Sequence, residues 1–217
     1  MGLPFHENIL QELYSYFAEK KEICLVLEYA PSGSLFEQER PFAAETSARR
    51  YICEVCKGLS HIHQHCIMHR DVKMENLVLG SDGRVKIIDF GEAKFVDEHT
   101  NSLCGSPFNR SPEMIELYAL DPRFEARRYD HKVDLWSVGV LVYEFHYAAG
   151  EDTIPFRGKK EEEISHHTRH SEIFWPEERV FSESARDLIT RILVKDPRKR
   201  MSFDDILAHP FIQEADE

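Results

Sequence analysis

The chain has 217 residues, 42% of them hydrophobic, with 27 basic side chains against 39 acidic ones and a net charge of −12. That length suits one domain with a substantial core. The acidic balance argues against binding nucleic acid or an anionic membrane through the general field; it leaves a nucleotide site open, because such a site needs only local donors and a cation.

In chain order, Met1-Gly2 opens like a myristoylation signal, but His6 stands where that signal needs Ser or Thr. Two strand-like segments follow, Asn8 to Phe17 and Glu22 to Tyr29, around a charged turn at Ala18 to Lys21. Pro31-Ser32-Gly33-Ser34 then breaks the chain. Beyond it Ile52, Val55, Cys56, Leu59 and Ile62 recur at threes and fours, which predicts a helix from about Ala44 to Gln64. Two short strands, Leu77 to Leu79 and Val85 to Ile88, flank a Gly80-Ser81-Asp82-Gly83 turn. From Gly91 to Pro112 there is no periodicity, and structureless loops of that length are usually functional. Val133 to Phe145 is the longest apolar run; it carries Asp134 and Glu144 and falls short of the roughly 18 residues of a membrane span. Ala185, Leu188, Ile189, Ile192 and Leu193 form another helical stripe, and Ser202 with Asp205 predicts a capping box. The pattern is α+β, a small β start before a large helical body.

The five cysteines, Cys24, Cys53, Cys56, Cys66 and Cys104, are an odd number and read as free thiols of a reducing compartment. Cys53 and Cys56 form a Cys-x-x-Cys, but they fall inside a predicted helix and no second ligand pair stands at zinc spacing. Two cysteines on a helix face explain them better than a metal or redox pair. A metal reading of His61, His63, His65 and His69 is weaker still, since His69 belongs to the segment that carries the chemistry.

That segment is His69-Arg70-Asp71-Val72-Lys73-Met74-Glu75-Asn76. It puts a carboxylate, an ammonium and a carboxamide on one short loop between a helix and a hairpin. Phosphoryl transfer needs such a set: an acid to orient the attacking hydroxyl, a cation on the transferring phosphate and an oxygen ligand for Mg²⁺. Asp89-Phe90-Gly91 follows the second strand of the hairpin, where another carboxylate can reach the same metal. Either motif alone is weak, but in this order across one hairpin a purely structural reading fails.

Taken together the motifs are the protein-kinase signature set, and from His6 to Phe211 the chain resembles that family, most closely the Aurora Ser/Thr kinases. Glu28-Tyr29-Ala30-Pro31, Ser102-Leu103-Cys104-Gly105, Pro112-Glu113-Met114-Ile115, Lys132-Val133-Asp134-Leu135-Trp136-Ser137 and Ala185-Arg186-Asp187-Leu188-Ile189 carry the likeness. The resemblance implies a kinase fold, with residues 1–30 a remnant of the small lobe and hinge and 31–217 the large lobe. It implies ATP and Mg²⁺, with Glu28, Tyr29, Ala30, Glu75, Asn76, Val78 and Asp89 at the nucleotide and Asn76 and Asp89 on the metal. Asp71 becomes the base or orienting group and Lys73 the γ-phosphate cation, while His69 and Phe90 are structural. Ser102 becomes the activation-loop phosphosite, with Arg70 binding its phosphate, and Glu113 pairs with Arg200. Glu75 and Glu144 would receive an arginine upstream of the target Ser or Thr, the alternative for both being a solvated face. Expected partners are protein substrates and activating subunits, in cytoplasm and nucleus and at spindle, centrosome or chromosomes.

The likeness has gaps. No Gly-x-Gly occurs in the sequence, and before the catalytic loop the only lysines are Lys20, Lys21 and Lys57, none placed to clamp phosphates. Losing one preorganised charge contact costs about 10²–10³ in rate. This chain alone is therefore expected to be poorly active or a fragment of a longer product, and a silent kinase-like scaffold is the rival reading. Two bare strands would also leave Ile9, Leu10, Leu13, Leu25 and Leu27 along unpaired edges. Met74 replaces a usual proline, Asp97 to Asn101 lacks arginines that would favour self-phosphorylation at Ser102, and Ile115 to His131 is long and has no assigned role.

Overall fold

Alternating apolar residues near the start of the chain fold as an antiparallel pair, β1 (Leu13–Glu19) on β2 (Glu22–Leu27), with Leu13 opposite Leu27 and Glu19 opposite Glu22. The computed structural model describes residues 3–10, 13–19, 22–38, 45–96, 102–119, 128–146, 154–177 and 181–214. The strand expected to begin at Asn8 begins later, because residues 8–10 dock elsewhere. Asn8 O accepts the Ile87 N–H at 2.9 Å and the Leu10 N–H reaches Ile87 O at 3.0 Å. Asn8 Nδ2 also donates to Val85 O at 2.9 Å. Ile9, expected on an exposed edge, is therefore only 2% exposed. Tyr16, Phe17, Leu25 and Leu27 of the ribbon do stand in solvent.

Helix α1 (Glu45–Gln64) turns the predicted stripe inward, burying Ile52, Val55, Cys56, Leu59 and Ile62 completely. All five cysteines are free thiols, and burial pushes the Cys56 thiol far up. After α1 come β3 (Ile67–Met68), β4 (Leu77–Leu79), β5 (Val85–Ile87) and β6 (Lys94–Phe95). β4 and β5 pair as a hairpin, with Val78 opposite Lys86, and β6 returns to pair antiparallel with β3.

The remainder is helical: α2 (Pro112–Ala119), α3 (Lys132–Phe145), α4 (Glu161–His170), α5 (Glu183–Ile192), α6 (Phe203–Leu207) and α7 (Pro210–Gln213). A helix apolar on every side belongs in the middle of a core, and α3 is buried from Val133 to Tyr143 between α1 and α5. Gly139 permits the close approach of α3 to α5: a Cβ there would lie 2.7 Å from both Ile192 Cγ2 and Leu193 Cδ2. The predicted capping box opens α6, with Asp205 N donating to Ser202 Oγ and Ser202 N to the Asp205 carboxylate. Among the described residues no helix is long and apolar enough to cross a membrane.

Candidate active site

The buried helix α3 reaches the loop that follows β3 through one side chain. Asp134, fully buried, accepts the backbone N–H of His69 and of Arg70, each at 2.8 Å, and meets His63 Nε2 at 2.7 Å. Burial by itself raises the Asp134 pKa. The His63 hydrogen bond, the His63 and His69 charges and the Arg70 N–H outweigh it and hold the carboxyl below its ordinary range. These bonds support Arg70 in the left-handed region at φ 69°, a conformation that costs a non-glycine residue about 1–3 kcal/mol.

Held in this way, the loop gathers donors around Asp71. Lys73 Nζ lies 2.7 Å and Asn76 Nδ2 2.9 Å from its Oδ2, while the Ser106 N–H reaches Oδ1 at 3.0 Å. Asn76 Nδ2 also donates to the Asp71 carbonyl at 2.8 Å, fixing the amide face. Burial pushes the Asp71 pKa up; the bonds from Lys73, Ser106 and Asn76 and the Lys73 charge overcome it, so the net shift is downward. Gly105 is required beside this carboxylate. Its φ is +71°, and a Cβ would sit 2.6 Å from Arg70 O and 3.2 Å from Asp71 Oδ1.

The β4–β5 hairpin brings the second motif alongside. The Ile88 N–H donates to Asn76 O at 3.0 Å, so Asp89 starts one residue from a direct stitch to the loop. Asp89 has φ 60°, and its Oδ1 accepts the Gly91 N–H at 3.1 Å. His69 hydrogen-bonds Ile88 O through Nε2 at 2.9 Å and packs edge-on against Phe90, ring centres 5.0 Å apart. On the other side of the hairpin the chain after β2 closes in. Glu28 pairs with the buried Lys86 at 3.3 Å, Ser34 bridges to Val78, and the Leu79 N–H donates to Gly33 O. Tyr29 is 80% exposed, Ala30 is half-buried and Val78 is buried.

The family description "Protein kinase domain" fits residues 2–212. The Arabidopsis thaliana serine/threonine-protein kinase Aurora-2 is 35% identical over 214 residues, covering 97% of this chain and 71% of that protein. The chain belongs to the protein kinase family, within its Aurora group of serine/threonine kinases. The Aurora kinase of Schizosaccharomyces pombe is 37% identical over 95% of the chain, and Aurora kinase A-A of Xenopus laevis likewise. The chain spans 55% and 48% of the length of those two relatives.

In this Aurora-group kinase two pairs of the remaining expected residues are joined, and Glu75 and Glu144 stand apart from them. Arg70 Nη1 donates to Ser102 Oγ at 3.0 Å, which joins the two residues expected to act together. The Glu113 and Arg200 side chains pair at 2.8 and 3.0 Å, with Arg200 fully buried. Glu75 is exposed on the 3-10 turn Met74–Asn76, and Glu144 lies half-buried in the last turn of α3. The Asp97–Asn101 run and residues 120–127 of the unassigned Ile115–His131 stretch lie outside the described residues. Sequence reasoning missed Ser106, which acts through its backbone, and Tyr129, whose hydroxyl touches both Arg70 and Ser102. Ser106 directly follows the Ser102-Leu103-Cys104-Gly105 segment, but a backbone contact leaves no mark on residue type, and no motif or period surrounds Tyr129.

Proposed function

We propose that this kinase transfers the γ-phosphate of MgATP to Ser or Thr of protein substrates, and that Asp71 carries the reaction. The observation behind this reading is the set of three donors on its carboxylate, from Lys73, Asn76 and Ser106. Oδ2 accepts two hydrogen bonds and Oδ1 one, so a substrate hydroxyl meets Oδ1, where a lone pair is left. A carboxylate held below its ordinary range is a weak base. Asp71 therefore orients the hydroxyl first and takes its proton late, as bonding to phosphorus develops.

Lys73, beside Asp71 and a quarter exposed, places its charge where the transferring phosphate would lie. Asn76 and Asp89 supply hard oxygen donors, and no three carboxylate, imidazole or thiolate groups converge among the described residues. Such a sparse set suits Mg²⁺, which keeps water and phosphate ligands, and does not suit zinc. When bound, the ion neutralises phosphate charge. Backbone groups at Glu28 and Ala30, with Tyr29 beside them, take the adenine edge; Val78 packs beneath the ring and Glu75 lies at the rim. In this reading residues 1–30 are small lobe and hinge and 31–217 the large lobe.

Ser102 is the regulatory phosphosite and Arg70 its cation. Glu75 and Glu144 select arginine upstream of the target residue. Substrates at the spindle, centrosome or chromosomes, activating subunits, and residence in cytoplasm and nucleus follow from the Aurora likeness. The test is transfer from labelled MgATP to an Arg-Arg-x-Ser peptide by the purified chain, beside Asp71→Asn. Transfer abolished by the substitution supports the assignment. Equal background from both folded proteins sinks it for this chain.

A further inference from the structure

The stretch between α2 and α3 had no use in the kinase reading, yet it delivers one buried side chain to the phosphosite. Tyr129 is 4% exposed. Its hydroxyl accepts a hydrogen bond from Arg70 Nη1 at 2.8 Å and donates one to the Ser102 carbonyl at 2.9 Å. Cys104 Sγ lies 3.9 Å from the same oxygen. Burial, ahead of a smaller contribution from Cys104, raises the phenol pKa and outweighs the Arg70 and Ser102 contacts that lower it. The group therefore stays a neutral O–H that can donate and accept at once.

Arg70 is held on its other edges too. Nε donates to Glu92 O at 2.6 Å, Nη1 to Ser102 Oγ at 3.0 Å, and the Glu92 carboxylate stands off at 3.9 Å from Nη2. The guanidinium plane is thus fixed by neutral groups, and among the described residues its Nη2 edge faces the half-exposed Glu92 carboxylate at 3.9 Å. A flexible arginine meeting a phosphate must first lose side-chain freedom, whereas one already oriented loses little.

We propose that Tyr129 is the positioning residue that seats Ser102 on Arg70 in the unmodified chain. A phosphate placed on Ser102 then finds the guanidinium in register and displaces Glu92 from its edge. The inference rests on reading Ser102 as the phosphosite and adds a side chain that acts through Arg70 without touching substrate. It also makes part of the activation segment ordered before any phosphate arrives, through hydrogen bonds to Ser102 from Arg70 and Tyr129.

The experiment installs phosphoserine at position 102 of the whole chain and follows the phosphate by ³¹P NMR through a pH titration. The comparison is the parent, Tyr129→Phe and Arg70→Gln. A phosphate paired with arginine should ionise below the second pKa of about 6 for free phosphoserine. The phenylalanine keeps the buried ring, and a thermal melt checks that each variant folds. Hydrogen exchange at residues 103–105 of the unmodified proteins is the second readout.

We expect the phosphate midpoint of Tyr129→Phe to rise from the parent value towards the free one, with faster exchange at 103–105. A midpoint raised by Arg70→Gln but unmoved by Tyr129→Phe, with unchanged exchange, overturns the role of Tyr129 and leaves the Ser102–Arg70 pairing standing. A midpoint already free in the parent, and unmoved by either substitution, overturns that pairing and the present inference with it.

Discussion

The Asp134 carboxylate accepts the Arg70 backbone N–H at 2.8 Å from inside the core, so the geometry of the catalytic loop is set by helix α3. The same carboxylate takes the His69 N–H and the His63 imidazole. Asp134→Asn replaces an acceptor by a donor that faces an N–H, in a place water does not reach. Breaking a buried charged network of this kind costs about 3–5 kcal/mol. Urea denaturation should show a loss of that order for Asp134→Asn, and a change below about 1 kcal/mol would refute it.

The lowered Asp134 pKa also gives a pH sign. A carboxyl whose folded pKa lies below its unfolded value adds stability above about pH 4, the ordinary range, and that stability disappears as pH falls through the folded value. Parent and Asp134→Asn should therefore converge in stability towards acid. Curves that stay parallel down to the acid transition would count against a charged Asp134.

Lys195 provides the opposite case. Desolvation, partly countered by Glu172 and helped by Arg200, brings its pKa down to about 8 from 10.5, while Nζ lies over the Phe156 ring and donates to Thr168 O. Between these two values the unfolded chain holds a proton that the folded chain has released, so this group's contribution to stability rises with pH. Chemical denaturation of Lys195→Met between pH 8 and 10 should lack that rise. An identical slope in parent and variant would show that Lys195 keeps its proton.

At Gly105 a side chain meets both a positive φ and the Arg70 carbonyl at 2.6 Å. Gly105→Ala should cost about 1–3 kcal/mol and withdraw the Ser106 N–H from Asp71. Where transfer activity is measurable, it should fall more than peptide affinity does. A variant with parental stability and turnover would mean that the segment shifts freely.

For Glu113 and Arg200, a double-substitution cycle with Glu113→Gln and Arg200→Met isolates the coupling. Glu113→Gln leaves the buried Arg200 guanidinium without its counter-ion, a loss of about 3–5 kcal/mol. Arg200→Met leaves the half-buried Glu113 unpaired and should cost less, and the pair of changes should cost less than the sum. Simple additivity in urea melts would remove the ion pair as a stabilising unit.

What could be read from sequence was contiguous or periodic. His69 to Asn76 lie on one loop and fold on themselves, so their types and spacing already imply the cluster around Asp71. The stripe of α1 and the capping box of α6 obey local rules. Ile9 is buried by a pairing with Ile87 that spans β1, β2 and the whole of α1 in sequence, and nothing in the alternation of Asn8 to Phe17 marks where the strand starts. Ser106 was invisible because a backbone N–H has no signature in its residue type. Tyr129 lies 59 positions from Arg70, in a stretch without periodicity, so only the folded chain brings the phenol to the guanidinium.

The β1–β2 ribbon turns Phe17, Leu25 and Leu27 outward while α3 has hardly an exposed atom. Two-stranded ribbons are marginal in water, and opening one need not disturb a core that lies elsewhere. The kinase should therefore come apart in stages. Amides of β1 and β2 would trade deuterium through small local openings, whereas those of α3 and α5 would wait for global unfolding. Limited proteolysis would then shave the ribbon and leave the helical body as a resistant remainder.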